Sequence, residues 1–163
     1  MTRIKEAIKW IMNRHGGRIR ADHASRHDLQ SIPMGENARL DVYWKHLEIG
    51  LGPAVSVVIR GEEILRIDCF GVDDGHMHTA VFMPGSGESR LYFPENTRRE
   101  QIDRAVFEIA RNLRYWMDRA VDPGVRAVTL HPNRIKSAAA DARRIMTAYL
   151  ERVDERPAQS PAV

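Results

Sequence analysis

The stretch from residue 66 to residue 81, RIDCFGVDDGHMHTAV, carries side chains suited to chemistry. Arg66 and Asp68 begin it, and His76 and His78 follow an acidic turn. Histidine exchanges protons near neutral pH, and a neighbouring carboxylate can fix its tautomer. Arginine can stabilise the charge that develops on a phosphoryl group. These residue types point to phosphodiester cleavage without a metal ion or to anion binding; the alternative is a sheet-edge ion pair beside polar hairpin histidines.

The His-x-His pair also permits a metal site. Two imidazoles on one side of a strand are a common pair of metal ligands. Cupins add a glutamate a few residues later, but Phe82 and Met83 stand there in this sequence. The nucleotide-binding motifs GxGxxG and Walker A are missing, as is the GxSxG nucleophile motif. We therefore expect no metal and no cofactor, and a His-x-His metalloprotein is the weaker alternative.

Strand parity decides whether the polar side chains meet, because alternate residues of a strand share one face. The segments AVSVVI and EILRIDCF flank Arg60-Gly61, which predicts a tight hairpin. With a two-residue turn there, the following residues of the two strands lie on one face of the sheet: Val55, Val57, Ile59, Ile64, Arg66, Asp68 and Phe70. The next loop, GVDDG, would pair Phe70 with His76. Asp68 would then pair with His78, and the polar residues would form one patch.

The surrounding elements follow from changes in the hydrophobic period. Residues 1–17 have helical spacing, and residues 18–38 form an irregular polar segment. Alternating aromatic and branched residues then predict about five strands without crossover helices, which is typical of an antiparallel meander. Helical spacing returns after Thr97, where two long amphipathic helices are expected. The sequence thus predicts a single α+β domain over residues 1–155, in which the C-terminal helices pack on the sheet, and a disordered tail at 156–163.

The composition limits the class of protein. The chain has 163 residues, one cysteine and a net charge of +3, which fits one domain without a disulfide framework. No apolar run approaches the roughly 20 residues that span a bilayer, and the N-terminus has no signal-peptide pattern. We expect a cytoplasmic protein without membrane contact. The positive excess lies in residues 1–40, which is suited to nucleic acid or an acidic protein as a partner. The alternative is an ordinary solvated surface.

The region from Val55 to Phe107 resembles the TumE-type toxins of bacterial toxin–antitoxin pairs. IRGEEILRID matches the hairpin of that family, DDGHMH its glycine-rich turn, RLYFP its aromatic strand and QIDRAVFEI its helix. The polar positions of the family correspond to Arg66, Asp68, His76 and His78. Cys69 replaces the family's asparagine, and neither residues 1–40 nor the second C-terminal helix has a counterpart.

The resemblance implies a small cytosolic protein that acts on RNA as a metal-independent ribonuclease, with the Arg/Asp/His/His patch as its site. The main alternative is a non-catalytic binding or accessory subunit of a bacterial protein complex. The protein partner would be an antitoxin in the first case. In the second it would be an enzyme subunit that contacts the apolar helix faces and the basic N-terminal third.

Overall fold

The computed structural model describes residues 26–48, 50–79 and 89–154. Within these ranges the chain forms a six-stranded antiparallel sheet followed by three helices. The strands lie across the sheet in sequence order: β1 (Arg26–Gly35), β2 (Ala38–Leu47), β3 (Gly50–Ile59), β4 (Glu62–Asp68), β5 (His76–Thr79) and β6 (Ser89–Tyr92). The helices are α1 (Arg98–Asp118), α2 (Pro123–Ala127) and α3 (Pro132–Asp154). The predicted α+β class and the antiparallel meander are confirmed.

Strand β1 differs from the prediction. Residues 26–35, expected within the irregular polar segment, pair with β2 as an edge strand. The pairing is interrupted between His27 and Gln30 and again after Pro33, so the strand has no regular alternation that a sequence pattern would reveal. An edge position also tolerates proline. The predicted N-terminal helix (1–17) and the tail (156–163) lie outside the described residues.

One face of the sheet packs against α1 and α3 and forms the hydrophobic core. The core contains buried side chains from the strands and from both helices, among them Leu40, Val57, Ile67, Ile109, Leu113 and Met146. Helix α1 begins at a capping box in which Thr97 and Glu100 bond each other's backbone, which fixes the start of the apolar stripe. None of the helices in the described part of the chain has the length and apolar character needed to cross a membrane.

Candidate functional site

The hairpin between β3 and β4 contains a β-bulge that the sequence pattern does not reveal. The chain turns over Arg60-Gly61 as predicted. Val57 then pairs with Leu65, whereas the next residue of β3 pairs with Glu63. Ile64 is therefore an extra residue on β4, and an extra residue reverses the alternation of side chains beyond it.

Because of this bulge, the face of the sheet that carries Arg66 and Asp68 has a different composition from the predicted one. Arg66 lies opposite Ser56, and Asp68 lies opposite Ala54. Val55, predicted to share the face of Asp68, contributes to the hydrophobic core instead. Ala54 and Ser56 thus lie on the same face as the charged side chains. Because both residues are small, the charged side chains have room.

The pairing of β4 with β5 brings the predicted site residues together. Asp68 lies opposite His76, and Arg66 lies opposite His78. The predicted pairing of Asp68 with His78 is therefore shifted by two residues, because the connecting loop extends from Cys69 to the residue before His76. A shift of two residues preserves the face, so the side chains share one side of the sheet as strand parity predicts.

Three of these side chains converge on one point. The Nε2 atoms of His76 and His78 are 2.8 Å apart. Oδ2 of Asp68 lies 3.4 Å from each of them. All three residues are buried, with exposed fractions of 0 % for Asp68, 2 % for His76 and 1 % for His78. Their ligand atoms form a compact group that has the composition of a metal site.

The backbone fixes the tautomer of His76. Its Nδ1 lies 2.7 Å from the carbonyl oxygen of Asp74, and a carbonyl only accepts hydrogen bonds. Nδ1 therefore carries the hydrogen, and Nε2 presents a lone pair to His78 and Asp68. Burial lowers the pKa of His76 despite the opposing effects of the Asp74 carbonyl and the Asp68 carboxylate. The imidazole is neutral near pH 7, the form in which histidine binds metal ions.

Asp68 is held in its ionised form. Burial alone would raise the pKa of this carboxyl group, but a hydrogen bond from His78 and the charges of Lys45 and Arg66 hold the pKa well below its usual value. Nζ of Lys45 donates to Oδ2 over 3.0 Å, and Nε of Arg66 is 3.5 Å from the same oxygen. The site therefore presents a carboxylate rather than a carboxylic acid.

Lys45 and Glu63 are charged residues of this polar face that were not predicted. Lys45 lies on β2, two strands from Asp68, and is 2 % exposed. Glu63 accepts hydrogen bonds from Arg66 at 3.0 Å and from Arg26 at 2.5 Å. The available signal for Lys45 is a lysine inside the aromatic strand segment LDVYWKHLEI. A single lysine in a strand is too common to indicate a site.

No protein-family profile matches the chain, and no curated protein or solved structure matches it significantly. The resemblance to TumE-type toxins therefore stays a prediction.

Proposed function

We propose that Asp68, His76 and His78 bind one divalent metal ion and that the protein is a metalloprotein. The observation that carries this proposal is the convergence of the three ligand atoms. Ligands about 2.1 Å from a zinc ion at tetrahedral angles lie about 3.4 Å apart, and Oδ2 of Asp68 lies 3.4 Å from each histidine Nε2. The two Nε2 atoms, now 2.8 Å apart, need to separate by about half an ångström. Nε2 of His78 also has to give up its hydrogen, because a metal ligand must offer a lone pair.

The burial of all three ligands would suit a structural site, but their number fits a catalytic role better. Two imidazole nitrogens and a carboxylate oxygen suit Zn²⁺ and Fe²⁺. Structural zinc sites are closed by four protein ligands, whereas catalytic sites have three and keep a position open for water or substrate. A bound ion lowers the pKa of coordinated water towards neutrality and supplies hydroxide for hydrolysis. The nearby cations Lys45 and Arg66 favour an anionic substrate.

The proposal predicts one high-affinity ion per chain in a calorimetric titration of metal-free protein with Zn²⁺. His76→Ala and His78→Ala should each weaken this binding by roughly a hundredfold or more, since even the loss of residues that only orient ligands costs 10–100-fold. His131→Ala is the matched control, because His131 is exposed and precedes α3. Zinc binding that survives in both site variants would exclude this centre.

Lys45 opposes the charge of a bound ion, which gives a second prediction. The Lys45 ammonium lies 3.0 Å from Oδ2 of Asp68, so an ion at about 2.1 Å from that oxygen is at most about 5 Å from the ammonium. Even at the dielectric constant of water this repulsion is about 1.7 kcal/mol, or more than tenfold in affinity. Lys45→Met removes the charge and shortens the side chain by only one atom, so it should tighten zinc binding by at least about tenfold.

Calorimetry of the Lys45→Met variant beside Lys136→Met, which changes an exposed lysine on α3, checks this prediction. The control should leave the zinc affinity unchanged. Weaker binding in Lys45→Met would mean that the lysine orients the carboxylate and that its charge has little influence on the ion.

The opposite hydrogen-bonding roles of the two imidazoles favour a second candidate function, metal-free cleavage of RNA. His76 presents an Nε2 lone pair, and His78 donates from its Nε2. A base and an acid are thus adjacent, and cleavage of a phosphodiester uses one group of each kind. The toxin-like role, the cytoplasmic location and the RNA partner belong to this candidate. Its test is RNA cleavage by the same histidine variants. The accessory-subunit alternative stays a prediction.

A further inference from the structure

Gln101 on α1 is buried on a helix whose other buried residues are mostly apolar, and its exposed fraction is 0 %. Its amide uses both of its polar atoms. Nε2 donates to the carbonyl oxygens of Gly71 and Glu95, each over 2.8 Å. Oε1 accepts from the backbone N–H of Gly71 at 2.9 Å. One side chain therefore holds both backbone groups of Gly71.

Gly71 in turn fixes the loop that precedes His76. Its φ of +95° lies in the region that favours glycine. The carbonyl oxygen of Gly71 also accepts from the N–H of Asp74 at 3.3 Å and of Gly75 at 3.1 Å. A Cβ atom built on Gly75 would lie 2.1 Å from Nε2 of Gln101, so the amide packs directly against the loop backbone.

The same loop supplies the hydrogen-bond acceptor that sets the tautomer of His76. The Asp74 carbonyl oxygen lies 2.7 Å from Nδ1 of His76. The position of this carbonyl depends on the Gly71 turn, and the turn depends on the amide of Gln101. A continuous chain of hydrogen bonds thus links the helix to the imidazole.

We propose that Gln101 is a positioning residue for the Asp68/His76/His78 centre: it holds the Asp74 carbonyl against Nδ1 of His76 and so keeps Nε2 unprotonated and directed at the other two ligands. Partners of this kind orient metal-binding histidines in known sites, and their removal costs 10–100-fold in metal affinity. The effect on metal affinity rests on the proposed function, but the effect on the tautomer does not.

The test compares Gln101→Met with Glu108→Met in metal-free protein. Each variant replaces a buried residue of α1 that makes three side-chain hydrogen bonds; those of Glu108 come from Arg104, Asn112 and Trp116. Long-range proton–nitrogen NMR spectra report which ring nitrogen of His76 carries the hydrogen. We expect hydrogen on Nδ1 in the wild type and in Glu108→Met, and a shift towards Nε2 in Gln101→Met.

Zinc affinity provides the second readout. Gln101→Met should lose about 10–100-fold and Glu108→Met should stay close to the wild type. A wild-type tautomer in folded Gln101→Met would overturn the proposal. If that variant does not fold, Gly75→Ala, whose Cβ displaces the Gln101 amide, should produce the same tautomer shift, and an unchanged tautomer there would overturn the proposal. A shifted tautomer in a protein whose wild type binds no zinc supports the positioning role and rejects the metal site.

Discussion

Replacing Asp68 with alanine should lower the free energy of unfolding by about 3–5 kcal/mol, the range found when one partner of a buried ion pair is removed. The variant leaves Lys45 without its 3.0 Å carboxylate contact and removes a nearby negative charge from Arg66. Both cations are buried, so water compensates neither charge cheaply. Urea denaturation at neutral pH measures the loss.

Asp103→Ala is the matched control, because it also removes one aspartate from an ion pair. Asp103 and Arg143 form their pair at the surface, where both side chains are 56 % exposed. Exposed pairs contribute roughly 0–1 kcal/mol. Similar losses in the two variants would show that the Asp68 cluster is open to water and not the buried centre described above.

The pH dependence of stability gives an independent check on Asp68. The pKa of its carboxyl group is below 3.8, its ordinary value, in the folded protein. A lowered pKa stabilises the fold fully above the unfolded-state pKa, and this contribution disappears as the pH falls towards the folded-state pKa. The stability difference between the wild type and Asp68→Asn should therefore be constant near neutral pH and shrink below about pH 4.

The fold was largely predictable because its signals are local. Aromatic and branched segments bounded by turn residues in β2 to β6, and helical spacing after Thr97, each specify an element within a few residues. Strand β1 escaped prediction because its pairing depends on β2 and breaks around Pro33, so no local pattern marks it. Edge strands with bulges lack the alternation on which sequence reasoning depends.

The site was predictable only in part, because some of its features depend on pairing between strands and not on a local pattern. Asp68 and His76 lie on strands joined by one loop, so parity places them on one face. The extra residue Ile64 and the contribution of Lys45 depend on pairing across the sheet. The convergence of two imidazole nitrogens needs the backbone of the Asp74 loop as well, and no spacing rule expresses that geometry.

If the protein acts on RNA, His76→Ala and His78→Ala should each reduce cleavage by about 10²–10⁴-fold, the usual contribution of a general acid or base. A metal-dependent mechanism predicts a comparable loss, because either variant removes a ligand of the activating ion. A fluorescent RNA substrate and the purified variants measure this effect, and inhibition of growth on expression measures it in cells. His131→Ala, at an exposed position, should cleave as the wild type does.

Chelation distinguishes the metal-free mechanism from the metal-dependent one, whereas the histidine variants alone do not. Cleavage that survives EDTA fits His76 as base and His78 as acid, with Asp68 stabilising the protonated histidine. Cleavage that stops in EDTA and returns with Zn²⁺ fits a metal-dependent mechanism, in which Asp68, His76 and His78 would hold the ion and the ion would supply hydroxide for hydrolysis. A wild-type protein that binds zinc but does not cleave RNA would retain the metal centre and reject RNA as its substrate. If the protein neither binds zinc nor cleaves RNA, the cluster is a buried ion pair. Its whole contribution is then to the stability of the fold, and the loss in Asp68→Ala measures that contribution.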